Sequence, residues 1–188
     1  MKKLNLGCGF DRRDDYVNAD NFKECNPDIL INIRETPWLF EDNEFDHVLL
    51  KHVLEHVGQS YEEFSSIMKE LYRITKNQGT IEIHVPHFRH DAFWSDPTHV
   101  RSFTPWTFQM MSKSQNDEWI TRKANYSMIA YEMGVNFEIV NGVQVYDNFW
   151  LQKEAAGEIT RDELRQIAEE KWNVVKELQI TLKTIKPF

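Results

Sequence analysis

Leu4-Asn5-Leu6-Gly7-Cys8-Gly9, followed by Tyr16-Val17-Asn18-Ala19-Asp20, is the stretch on which the fold turns. Leu4 and Leu6 alternate with polar neighbours and run straight into two glycines, the pattern of a strand that ends in a tight turn. Lacking side chains, Gly7 and Gly9 let a ligand approach the backbone. Asp20 closes a second short strand, where a carboxylate can accept hydrogen bonds from the two vicinal hydroxyls of a ribose. A glycine turn and an acid on the next strand together make a two-part nucleoside site. Arg12 stands where a GxGxxG fingerprint has its third glycine, which argues against a pyrophosphate cradle and against a nicotinamide-dependent oxidoreductase.

Outward from this stretch the strands continue. Residues 28–33 have the continuous apolar character of a buried parallel strand. Residues 45–50 form a fourth strand and residues 80–85 a fifth, with alternating apolar positions. Between the last two lies the clearest helix: Ser60 and Glu63 form a capping box, Phe64, Ile67, Met68 and Leu71 share a face, and Gly79 follows as a stop signal. Strand, helix and strand at this spacing are the βαβ unit of a parallel sheet. Further on, Thr104-Pro105 opens a short helix, and Asn141-Gly142 between two apolar runs predicts a two-residue hairpin. Thr160 and Glu163 cap a helix to about Trp172, and Leu178, Ile180 and Leu182 alternate in a last strand.

The 188 residues suit one domain with a single core. We divide it into a cofactor-binding half (1–86), an acceptor-pocket or lid insertion (87–135) and C-terminal strands and helix (136–188). With 30 acidic against 22 basic side chains the net charge is −8, which disfavours a nucleic-acid partner. No apolar run reaches the roughly 18–20 residues that span a bilayer, and none near the N-terminus resembles a signal peptide, so a cytoplasmic protein without a membrane partner is expected. Cys8 and Cys25 make no CxxC pair and are expected as free thiols rather than zinc ligands.

The chain resembles the class I S-adenosylmethionine-dependent methyltransferases, in the type 11 methyltransferase subgroup. The resemblance rests on the two opening strands, on Phe45-Asp46-His47-Val48-Leu49-Leu50-Lys51-His52-Val53-Leu54-Glu55-His56, and on residues 68–80. It implies an α/β, Rossmann-like three-layer sandwich with a mostly parallel seven-stranded sheet and one antiparallel strand. It also implies S-adenosylmethionine as cofactor and S-adenosylhomocysteine as product. Leu6, Gly7, Cys8 and Gly9 would form the turn at the methionine part, Asp20 would hold the ribose, and Asn21 and Phe22 would lie beside the adenine. Asn32 and Ile33 would contact the adenine edge, although many relatives carry an acid at the first of these. Lys51 and His52 would line the floor beneath the methyl donor. The chain also departs from the family in length: only seven residues separate Gly9 from Val17, so the first crossover helix must be reduced to a turn.

Pro86-His87-Phe88-Arg89-His90-Asp91 and Asp96-Pro97-Thr98-His99-Val100-Arg101 follow the fifth strand on the same sheet edge. His87, His90, Asp91, Asp96 and His99 offer a general base or ligands for a divalent metal, and relatives carry a similar Asp-Pro-x-His stretch at the acceptor pocket. The expected roles are His52 or His87 as base, with His99 and Arg101 orienting an anionic or sugar-like small acceptor. No metal ligand set is assigned. Phe93, Trp94, Phe103, Trp106 and Phe108 either wall off that acceptor or pack the segment onto the sheet. His52 and His56, four apart, share a face if residues 53–57 are helical. The alternatives are a catalytically silent S-adenosylmethionine-binding module and a metal-dependent hydrolase built on the 87–99 loop; the oligomeric state is left open.

Overall fold

A computed structural model describes residues 1–188. Seven strands form one sheet in the order β3-β2-β1-β4-β5-β7-β6. They are β1 (Lys3–Leu6), β2 (Val17–Asp20), β3 (Ile29–Leu30), β4 (Phe45–Lys51), β5 (Thr75–Pro86), β6 (Phe137–Tyr146) and β7 (Val175–Thr184). The first five run parallel, and β7 is antiparallel to both of its neighbours. The seven-stranded, mostly parallel α/β sheet with one antiparallel strand is therefore present.

Register decides which side of the sheet is apolar. Leu4 pairs with Val48, Val48 with Ile81 and Ile81 with Leu182, and Leu50, Ile83 and Ile180 repeat the row two residues on. Helix α1 (Tyr61–Ile74) lays Phe64, Ile67, Met68 and Leu71 on these rows within one apolar cluster. α2 (Pro105–Gln109) and α3 (Arg161–Glu170) add Phe108, Leu164 and Ala168 to the same cluster. The reverse side is polar: Lys3, His47, Thr80 and Lys183 form one row, and Lys51, His84 and Gln179 another. Helical cover is thus uneven between the two faces. Over β1 and β2 the cover is the irregular segment 10–16, held where Asn5 donates to the Asp11 carbonyl (2.8 Å) and the Arg13 amide donates to Asn18 (2.9 Å). This is the shortened crossover.

Several expectations change. The run 28–33 makes only a two-residue strand, because β3 lies at the sheet edge with one neighbour, and Leu30 is exposed. Asn141-Gly142 makes no hairpin: neither residue has the positive φ that a type I′ turn needs. Both lie inside β6, with a bulge at Val140. Nine residue pairs with β7 override the local turn preference. Gly79 is not a helix stop. α1 passes directly into β5, and Gly79 lies where the strand bulges against β4 and a Cβ would meet Thr75 and Lys76 at 2.8 and 2.9 Å. Residues 54–56 form a 3-10 turn, and His52 takes the left-handed conformation, so His52 and His56 do not share a helix face. The last helix ends at Glu170, and the last strand spans Val175–Thr184, longer than its alternating core suggests.

Candidate functional site

The carboxyl ends of β1, β2, β3 and β4 converge on a cavity of about 240 Å³. Gly7, Asp20, Asn21, Asn32, Ile33 and His52 line it, joined by Ile31, Arg34, Val53, His56 and Val57. It sits where the strand order reverses around β1, the place at which open parallel sheets bind ligands.

The glycine turn and Asp20 meet directly. One carboxylate oxygen of Asp20 accepts from the Gly9 amide (2.7 Å) and the other from the Phe22 amide (2.8 Å). The Gly7 and Cys8 amides both donate to the Ala19 carbonyl, at 2.7 and 3.1 Å. The turn is therefore stitched to β2 through its own amides, and Asp20 keeps its remaining lone pairs for the cavity. Gly7 takes φ +73°, and a Cβ there would lie 2.4 Å from Val53. Gly9 takes φ +48° with open space around it. Leu6 and Cys8 are buried beneath the turn rather than lining the cavity. Phe22 is exposed at its rim, in edge contact with Phe10 at 6.1 Å.

His52 is held between two carboxylates. Its Nε2 donates to Glu177 on β7 (2.8 Å) and its Nδ1 to the buried Glu55 (3.2 Å). The hydrogen bonds to Glu177 and Glu55 outweigh its partial burial and raise its pKa to about 9. Burial pushes Glu177 upward, yet hydrogen bonds from His52 and Gln179 bring it down to about 2. At neutral pH His52 is an imidazolium with both nitrogens engaged, an arrangement that ties β4 to β7 and leaves no lone pair for a base. Lys51 points to the rim, where its Nζ pairs with Asp11 at 3.0 Å.

The remaining histidines and Arg101 lie apart from that floor. His87 is buried beyond β5, and its Nδ1 accepts from the Arg89 amide (3.2 Å). Burial, reinforced by Arg89 and His90, lowers its pKa to about 4, so it is neutral. Arg101 donates to the Gly58 carbonyl (2.6 Å) and stacks over Phe64, which anchors its segment to α1. His99 packs against His56 with ring centroids 4.7 Å apart. His90 and Asp96 accept from the nearby amides of Ala92 and Thr98. Of the aromatics, Phe103 and Phe108 stack in the core and Phe93 is buried, whereas Trp94 and Trp106 are exposed. Cys8 and Cys25 are free thiols. Burial raises the Cys8 thiol to about 12, which makes its cluster with Cys25 and Asp20 a poor metal cage.

The sequence reading did not select Arg34, Val53, His56 or Val57 as cavity residues. Val53, Val57 and His56 reach it because the residues after β4 form a 3-10 turn, and Arg34 reaches it through contact with Glu63 and the His56 carbonyl. Only their position just after β4 hints at them in the linear chain, and the pairing of His52 with His56 depended on a helix over 53–57 that does not form.

No helix is long and apolar enough to cross a membrane. No curated protein sequence matches the chain. Solved structures of the same fold do. A SAM-dependent methyltransferase from Archaeoglobus fulgidus superposes with a TM-score of 0.56 at 16% identity, covering 98% of this chain and 86% of that one. A SAM-dependent methyltransferase from Methanosarcina mazei gives 0.56 at 13% identity, covering 98% and 92%. The 1,6-didemethyltoxoflavin-N1-methyltransferase of Burkholderia thailandensis, solved with bound 1,6-didemethyltoxoflavin and S-adenosylhomocysteine, gives 0.50 at 12% identity, covering 98% and 71%. Within the sequence itself, residues 8–83 match the family described as "Methyltransferase domain". Residues 8–83 thus match a methyltransferase-domain family, and the chain as a whole has the fold of solved S-adenosylmethionine-dependent methyltransferases.

Proposed function

We propose that this chain is an S-adenosylmethionine-dependent methyltransferase acting on a small-molecule acceptor such as a sugar or nucleotide-sugar. The observation that carries the reading is the contact of the Asp20 carboxylate with the Gly9 amide at the mouth of the cavity that Gly7, Asn21, Asn32 and Ile33 also line. An adenosyl ligand seated there would place its ribose at Asp20, its adenine between Phe22 and the Asn32–Ile33 edge, and its methionine part over the glycine turn.

S-adenosylmethionine supplies an activated methyl group on a positively charged sulfur. What the protein contributes is position and exclusion of water: holding two reactants in line is worth roughly 7–11 kcal/mol of barrier. Few side chains need to exchange protons. We assign positioning roles to His52, which fixes the end of β4, and to Arg101, which fixes the segment that follows β5. His87 and His99 remain the candidates for contact with the acceptor.

The test is calorimetric titration of the protein with S-adenosylmethionine and S-adenosylhomocysteine, alongside Asp20→Asn. Binding near the micromolar range, weakened in the variant, is expected. Indifference of the folded protein to both compounds would sink the reading. Binding without transfer to any acceptor would instead favour the silent module.

A further inference from the structure

We propose that Glu55, His56 and His99 form a binding site for one divalent transition-metal ion, of the two-histidine, one-carboxylate type. This goes beyond methyl transfer and does not depend on it. One ligand atom from each residue lies within 4.8 Å of the other two. Tetrahedral ligation at 2.0–2.2 Å would place them roughly 3.4 Å apart, within reach of small side-chain rotations.

The hydrogen bonds around the three residues favour ligation. Thr98 donates its hydroxyl to Asp96 (2.7 Å), so toward His56 the same oxygen can only accept. It therefore takes the Nδ1 proton of His56 (2.8 Å), and the Nε2 lone pair is left free. His99 donates its Nδ1 proton to the Phe93 carbonyl (2.6 Å), which leaves Nε2 without a hydrogen bond, 3.9 Å from the Asp96 carboxylate. Metal-bound histidines characteristically give their second N–H to such an acceptor, which fixes tautomer and ring orientation. Glu55 is 1% exposed, and one of its carboxylate oxygens is buried without a hydrogen-bond partner. A buried acceptor with no donor is rare in folded proteins and calls for an unseen partner.

The two halves of the site are clamped together. The Glu55 carbonyl accepts from the amides of Val100 (2.7 Å) and Arg101 (3.3 Å), which brings the 96–101 segment against the 3-10 turn. Two imidazoles and a carboxylate are borderline donors suited to Zn²⁺, Co²⁺ or Fe²⁺ rather than Mg²⁺ or Ca²⁺. Three protein ligands leave a position for water or a substrate oxygen, and His56 places that position beside the cavity.

Metal-free protein, prepared with a chelator, is titrated with Co²⁺ by visible absorbance and with Zn²⁺ by calorimetry. One equivalent per chain is expected, with Zn²⁺ displacing Co²⁺. Glu55→Gln and His99→Gln should each weaken binding about tenfold or more, and Thr98→Val, which keeps every ligand but releases His56, about tenfold. Thermal melts of the metal-free variants establish that each is folded; if one is not, the Thr98→Val comparison decides. Absence of one-to-one binding by the wild-type chain, or wild-type affinity in the folded variants, overturns the proposal.

Discussion

Replacing Gly7 by alanine should cost the fold more than replacing Gly9, and the difference can be worked from geometry. Both glycines sit in left-handed backbone, at φ +73° and +48°, which costs an ordinary residue about 1–2 kcal/mol. Alanine also restricts the unfolded chain, but by a similar amount at either site, so that effect cancels in the comparison. What differs is space. A Cβ at Gly7 meets Cγ2 of the buried Val53 at 2.4 Å, whereas one at Gly9 meets nothing within 4 Å. Forcing a methyl into a filled position costs typically 1–3 kcal/mol. Gly7→Ala should therefore lose about 2–5 kcal/mol and Gly9→Ala about 1–2 kcal/mol. For a domain of this size each kcal/mol lowers Tm by about 2–4 °C. Urea unfolding followed by tryptophan fluorescence measures both, with the slopes compared to verify two-state behaviour. Because Val53 lines the cavity, Gly7→Ala should also weaken S-adenosylhomocysteine binding. Equal losses in the two variants, or a Gly7→Ala protein as stable as wild type, would refute the account of the turn.

Three further outcomes follow from the same contacts. Asp20→Asn removes a charge that accepts two amide hydrogen bonds; it should weaken S-adenosylhomocysteine binding by about 10- to 100-fold, read by calorimetry. His87 is neutral in the fold with a pKa near 4, whereas the unfolded chain takes up that proton below about 6.5. The unfolded state then binds more protons, so stability should fall by on the order of 2–3 kcal/mol as pH drops from 6.5 to 4. His87→Gln should flatten that slope in urea midpoints measured across the window, and an unchanged slope would count against the buried, neutral state. Phe108→Ala empties a fully buried ring stacked on Phe103 at 5.5 Å and should cost about 3–5 kcal/mol, seen as a lower urea midpoint; a loss under 1 kcal/mol would mean the ring is not packed as described.

The linear chain carried those features whose cause is local. Alternation at Leu4 and Leu6, the glycines after them and the Ser60–Glu63 cap act within a few residues, and β1, the turn and α1 appear where those signals lie. The seven residues between Gly9 and Val17 were enough to exclude a crossover helix. Tertiary structure decided what depends on partners distant in sequence. Pairing with β7 turned Asn141-Gly142 from a hairpin into strand interior. An edge position shortened β3. The charge on His52 came from Glu177, a residue 125 positions away by their numbering that only the sheet order brings within 2.8 Å. The grouping of Glu55 and His56 with His99 arose likewise, from amides of the 99–101 region closing on a carbonyl of the 3-10 turn. A side chain's protonation and its partners depend on distances through space, and local spacing fixes those only within a single element.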